Sequence, residues 1–138
     1  DATIGYGGHS KEILKKLDKG FLYGFDQDDY AVNYSNKFLK EYSNNFLIIK
    51  SNFANMKNEL NKLGIDKVDG ILFDLGVSSA QLDIDERGFS FHKDAPLDMR
   101  MDTDNSFSAW DVVNTYEEEK LANILFEYAV SSCGVCFV

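Results

Sequence analysis

The sequence predicts an α/β domain in which a parallel sheet carries helices on its faces. Three observations point there. Short apolar runs at 21–25, 46–49 and 68–73 alternate with stretches whose apolar residues recur at helical spacing. A glycine-rich turn at 5–8 opens the first helical stretch, and two of the apolar runs deliver an aspartate, Asp26 and Asp74, at their carboxyl ends. Strands separated by helices of this length favour parallel pairing.

In chain order, the turn at 5–8 leads through Ser10 to Ile13, Leu14 and Leu17 on one helical face, with Gly20 as the stop. A strand at 21–25 follows. Ala31, Phe38, Leu39 and Tyr42 mark a second helix, Asn44 and Asn45 break it, and 46–49 reads as a buried strand. Met56, Leu60 and Leu63 mark a third helix ended by Gly64, before a strand at 68–73. Residues 76–105 have no sustained period, and a loop that long in a compact domain is usually functional or flexible. Helical signals return at Ser108 and at Thr115, each three residues before an acid (Asp111, Glu118) as in capping boxes, and Leu121, Ile124, Leu125 and Tyr128 line one face. Because a glycine-rich turn of this kind follows a strand, and only residues 1–4 precede it, the chain reads as a fragment lacking most of a first strand.

At 138 residues, 44% of them hydrophobic, the chain has material for one core and is not disordered. No apolar run approaches the ~20 residues needed to span a bilayer, and no signal peptide is visible, so it reads as a soluble protein without a membrane partner. Cys133 and Cys136 sit together at the end, where a bridge would staple nothing; they read as bystanders in a reducing compartment. His9 and His92 lack partners at metal-ligand spacing, so no metal is expected. The net charge of −9 is uneven: residues 1–64 hold nine lysines and eight acids, whereas 65–138 hold five basic and fifteen acidic residues. No basic stripe runs along the sequence, so charge alone does not announce a nucleic-acid binder.

Ligands of open parallel sheets bind at the carboxyl ends of the strands. The turn at 5–8, Asp26, the pair Asn52 and Phe53, and Asp74 all fall there. Glycines admit a ligand close to the main chain, and the amides opening a helix favour an anionic group. Asp26 lies 18 residues after Gly8, near the distance expected of an acid that takes ribose hydroxyls. Phe53 suits the flat face of an adenine. A dinucleotide site wants a third glycine where Ser10 stands, which weakens that reading. S-adenosylmethionine has no pyrophosphate; its carboxylate suits the amide-lined turn and its cationic groups suit acids such as Asp1 and Asp74. Each feature has a plainer explanation, as a tight turn, a helix cap or a core aromatic, and their order and spacing favour a nucleoside-type site.

The motifs DATIGYGGHS (1–10), DLGVSSAQLD (74–83), RGFSF (87–91), PLDMRMD (96–102) and VVNTY (112–116) closely resemble the RsmH (MraW) family of S-adenosylmethionine-dependent methyltransferases. The resemblance covers residue 1 to about 128. It implies a Rossmann-like class I methyltransferase fold, here incomplete: a cofactor-binding domain over 1–107, the start of a helical insertion over 108–128 and an atypical tail over 129–138. It further implies methyl transfer to the N4 amino group of a cytidine in small-subunit ribosomal RNA, with that rRNA as partner, in the cytoplasm or, in a eukaryote, the mitochondrial matrix.

Position by position, the resemblance implies that Gly7, Gly8 and His9 contact the methionine part of the cofactor. Asp26 would hold the ribose, Phe53 would flank the adenine, and Asp74 and Gln81 would complete the site. The catalytic expectation is that Asp74, helped by Ser78 or Ser79, accepts a hydrogen bond from the target amino group; that Asp74 instead only orients the cofactor is its equal rival. Arg87 and Arg100, the only arginines, are expected either to hold phosphate or to pin their acidic loop. Two other function classes stay open from the residues: a nicotinamide-dependent oxidoreductase, and a noncatalytic remnant that keeps the nucleoside half-site.

Overall fold

A computed structural model of the chain describes residues 1–128. The tail at 129–138, with Cys133 and Cys136, lies outside the described residues. Helix α1 (Gly8–Lys16) is followed by β1 (Leu22–Asp26), α2 (Asp29–Leu39) and β2 (Phe46–Lys50). A 3-10 turn (Phe53–Asn55) leads into α3 (Met56–Lys62). Past residue 75 come α4 (Ser79–Asp83), a 3-10 turn (Asp85–Arg87), α5 (Ala109–Thr115) and α6 (Glu118–Tyr128). This mixed architecture, with parallel strands joined through a helix, is a partial Rossmann-like domain.

The two strands pair in parallel from Leu22 opposite Phe46 to Asp26 opposite Lys50, so the carboxyl ends of both strands open on one rim. Segment 1–4 runs along the free side of β1. The Asp1 terminal amine donates to the Tyr23 carbonyl at 2.9 Å, Phe25 N–H to Asp1 at 2.9 Å and Ile4 N–H to Phe25 at 2.9 Å. On its far side Ala2 N–H donates to Leu72 at 2.8 Å. The spatial order is therefore β2, β1, segment 1–4, then the stretch around Leu72. That stretch, expected as a strand at 68–73, is not a strand: one main-chain bond ties it to segment 1–4, and among the described residues nothing pairs with its other edge. Its apolar residues are correspondingly open, with Ile71 52% and Phe73 47% exposed.

The core gathers Ile4, Leu14, Leu22, Leu39 and Ile48, with Ile13, Leu17, Val32, Phe38 and Phe46 packed against it. Each fully buried side chain of this size contributes about 1.5–3 kcal/mol, and the cluster joins both helices to both strands. Gly7 fixes the chain's entry to α1. Its φ of 78° is left-handed, it caps the helix, and a Cβ there would press on Leu39 at 3.2 Å.

The box at Ser108 forms in full: its hydroxyl accepts from Asp111 N–H while Asp111 accepts from Ser108 N–H at 2.8 Å. The one expected at Thr115 does not form. Thr115 ends α5, and its hydroxyl turns back to the Asp111 carbonyl at 2.6 Å, a bond available only within an existing helix. No described helix is long and apolar enough to cross a membrane.

Candidate functional site

At the rim where β1 and β2 end, a cleft of about 500 Å³ opens, a size that suits a nucleoside-sized ligand. Gly8 and His9 border it from the start of α1, Asp26 from the end of β1, Phe53 from the turn after β2, and Asp74, Ser78, Ser79 and Gln81 from the opposite wall. Residues far apart in sequence thus converge on one space.

Asp26 is the best-held of them. One carboxylate oxygen accepts from Gly5 N–H at 2.9 Å and the other from Asp28 N–H at 3.0 Å, so both are fixed in place while each keeps a lone pair free. Burial pushes its pKa above the ordinary aspartate value, against the pull of those amides. Phe53 is 39% exposed in the cleft and meets Phe73 edge-on at 5.6 Å. A Cβ on Gly8 would find nothing within 4 Å, so the glycine leaves room that a side chain would take from a ligand. Asp74 is fixed through its main chain, whose N–H donates to the Thr3 hydroxyl at 2.8 Å. Its carboxylate is open, 3.6 Å from His9 Nδ1.

Two expected contacts lie elsewhere. Gly7 is not among the residues that border the cleft, and a Cβ on it would point at Leu39. Asp1 also faces away: its carboxylate accepts from the buried Ser10 hydroxyl at 2.7 Å and from Thr3 N–H at 3.1 Å.

The wall formed by 76–105 is held by Gln81, Arg87 and Arg100, which the sequence singled out, together with Asp28, Gln27 and Lys50, which it did not. Asp28 is the hub. It caps α2 by accepting from Tyr30 N–H at 3.0 Å, and its second oxygen accepts from Arg87 at 2.7 Å and from the Gln81 amide at 3.1 Å. The pair is buried, the side chains being 4% and 11% exposed. Gln81 relays the hold, its carbonyl oxygen accepting from Ser78 N–H at 2.9 Å. Arg87 also donates to the carbonyls of Arg100 at 2.7 Å and Met101 at 3.2 Å. Gln27 bridges Asn52 at 2.8 Å and the Met101 sulfur at 3.4 Å, and Lys50 links Asp29 and Asp104, which hold its ammonium well above its usual range. An aspartate just before a helical period is a readable cap signal for Asp28; its partner 59 residues on is not.

The arginines are thus committed inward. Arg87 has spent its guanidinium on Asp28 and the loop carbonyls. Arg100 grips Asp98 through two nitrogens, at 2.9 and 2.6 Å, and the Asn105 carbonyl at 2.6 Å. The guanidinium holds the Asp98 carboxyl below the usual range. Neither arginine borders the cleft.

Gly88, next to Arg87, has a φ of 69°, and a Cβ there would run into the Pro96 carbonyl and lie 2.8 Å from Asp98 N. Gly88→Ala should therefore destabilise the fold by at least about 1–2 kcal/mol from the left-handed backbone alone, with the steric conflict adding to it. A urea midpoint equal to that of the unsubstituted chain would show that this turn is not under constraint.

The sequence pattern of the MraW methylase family matches residues 1–133. Among curated proteins, the chain is 59% identical over 128 residues to ribosomal RNA small subunit methyltransferase H of Mycoplasmopsis synoviae, covering 93% of this chain and 42% of that protein. It is 58% identical to methyltransferase H 1 of Acholeplasma laidlawii, with the same coverage, and 56% identical to the Clostridioides difficile protein of the same name, over 93% of this chain and 42% of that one. The chain spans about two fifths of the length of these relatives. With the motifs at 1–10 and 74–83 meeting on the cleft and its sequence matched over nearly its whole length, the chain belongs to the MraW methylase family.

Proposed function

We propose that this chain is the cofactor-binding part of an enzyme that moves a methyl group from S-adenosylmethionine to the N4 amino group of a cytidine in small-subunit ribosomal RNA. The observation that carries the proposal is the single cleft joining the glycine turn, a fixed ribose-type carboxylate at Asp26, the half-exposed ring of Phe53 and the open carboxylate of Asp74. The names of the relatives supply the substrate class.

The residues present fit S-adenosylmethionine. Asp26 keeps one free lone pair on each oxygen for the two ribose hydroxyls, Phe53 offers a ring for the adenine, and the open space above Gly8 admits the amino-acid end. When bound, the cofactor supplies an electrophilic methyl group on a cationic sulfur. The chain's part is positioning and charge. A cytosine amino group is a poor nucleophile because its lone pair is delocalised into the ring, so an acceptor for its N–H must stand where charge leaves the nitrogen. Asp74 is that acceptor: its carboxylate is open to the cleft while its main chain is anchored on Thr3. Ser78 and Ser79 border the same wall and offer hydroxyls to the base. Arg87 and Arg100 serve by holding the loop in shape.

In the full-length protein, Asp74→Asn should leave cofactor affinity, read by calorimetry, within a few-fold of normal. It should also bring methyl incorporation into small ribosomal subunits down by about 100-fold or more, in the range expected for losing a transition-state hydrogen-bond partner. Equal loss of binding and turnover would make Asp74 a cofactor ligand only.

A further inference from the structure

The mouth of the cleft continues onto a strip of aromatic rings. Tyr6, which borders the cleft, lies 4.6 Å from the ring of Tyr34 and 6.1 Å from that of Tyr30. Tyr34 lies 6.0 Å from Phe38, and Phe38 lies 5.3 Å from Tyr42. Tyr30, Tyr34 and Phe38 are four residues apart on α2, so they follow one another along roughly 12 Å of helix. A stripe at this spacing normally faces a core, yet Tyr30, Tyr34 and Tyr42 are 47%, 44% and 40% exposed.

Lysines from α1 lie over these rings. Lys11 Nζ is 4.6 Å from the Tyr42 ring centre and 5.5 Å from that of Phe38, and Lys15 Nζ is 5.7 Å from Tyr42. Residues 8–42 carry six lysines and six acids. Three of those acids are occupied elsewhere: Asp26 on the cleft amides, Asp28 on Arg87 and Asp29 on Lys50. Of the remaining acids, Glu12 pairs with Lys15 at 2.8 Å. Lys11 makes no ion pair among the described residues, so its ammonium stands beside the rings without a carboxylate partner.

We propose that this strip is a track for single-stranded RNA leading to the cleft, with bases stacked on the tyrosine faces and phosphates drawn to Lys11. Stacking on aromatic faces tolerates any base, and nearby ammonium groups neutralise the backbone. An apolar protein partner is disfavoured because ammonium groups and phenol hydroxyls would be buried with it. The proposal rests on the RNA-substrate reading above and adds where the strand lies.

The test uses the full chain and an unstructured, dye-labelled oligoribonucleotide of about 12 nucleotides, followed by fluorescence anisotropy at several salt concentrations. Tyr34→Ala should weaken binding about 5- to 100-fold, and Tyr34→Phe should restore it, since the ring face and not the hydroxyl does the work. Lys11→Gln should weaken binding and lower the salt slope by about 0.7. S-adenosylmethionine affinity, measured on the same samples, should be unchanged and so report an intact fold. If the unsubstituted chain binds the RNA and Tyr34→Ala and Lys11→Gln bind equally well, the track is overturned and the substrate reading stands. If the unsubstituted chain binds the cofactor and no RNA, the track is overturned, while the substrate reading, which concerns the whole enzyme, is tested separately by methyl incorporation into small ribosomal subunits. If Tyr34→Ala changes self-association in sedimentation and not RNA affinity, the strip is a contact between copies, which also overturns the proposal.

Discussion

Replacing Asp28 with alanine is expected to cost the fold about 3–5 kcal/mol, the usual result of leaving one member of a buried ion pair without its partner. Asp28 and Arg87 are almost fully enclosed, and the carboxylate also caps α2 and holds the Gln81 amide. Removing it strands a guanidinium whose Nε already has no partner. It also frees an α2 amide, a loss of about 1 kcal/mol by itself. A loss of this size should lower the melting temperature by roughly 10 °C or more for a chain of this length. The double substitution Asp28→Leu with Arg87→Met removes both charges together and should recover much of that stability, because an apolar pair carries no desolvation penalty. It should not recover the position of Gln81 and Ser78, so cofactor affinity should stay low in the double variant. Thermal melts and calorimetry on the three proteins separate the two effects, and a single variant that melts with the unsubstituted chain would remove the strut from the picture.

This strut marks the boundary of what was legible in the residues. The glycine turn, Asp26 at the end of β1 and Phe53 just past β2 are set by local pattern: a strand delivers its last residue to the rim, whatever the rest of the molecule does. β1 and β2 therefore fall within one residue of the apolar runs that predicted them, and Asp26, Phe53 and Asp74 do share a cleft. Long-range partners are different in kind. Arg87 had many acids within its own loop to choose from, and chose Asp28, 59 residues away, because the cap of α2 presents a second carboxylate oxygen inside the protein. The same holds for Thr3 beneath Asp74 and for the lysines of α1 over the rings of α2. The stretch at 68–73 shows the converse. Its sequence is strand-like, but a ladder needs paired edges, and a single bond from Ala2 does not make one. The loop at 76–105 read as featureless because its order comes from Arg87, Arg100, Lys50 and Gln27 side chains rather than from any period.

The substitution Asp26→Asn separates binding from folding at the cofactor end of the cleft. Asparagine keeps the shape but presents an acceptor to only one of the two amides, from Gly5 and Asp28, that the carboxylate now satisfies. The stability cost should be small, on the order of 1–2 kcal/mol, and is partly offset because a buried negative charge disappears. Burial raises the Asp26 pKa in the folded chain, so this group's contribution to stability is fully present below the ordinary value of 3.8 and is lost as pH rises through the raised folded value. Ligand binding runs the opposite way, since the ionised carboxylate is the better acceptor for ribose hydroxyls. Each hydrogen bond to a charged group contributes about 1.5–3 kcal/mol, so Asp26→Asn should weaken S-adenosylmethionine binding by roughly 10- to 100-fold. In the unsubstituted chain the affinity should begin to fall on acidification at a higher pH than an ordinary aspartate would dictate, and the Asn variant should show no such inflection. Calorimetric titrations at descending pH read both curves. Coincident pH profiles for the two proteins would mean that Asp26 does not hold the ribose, and that the cleft recognises its ligand by shape and stacking on Phe53 instead.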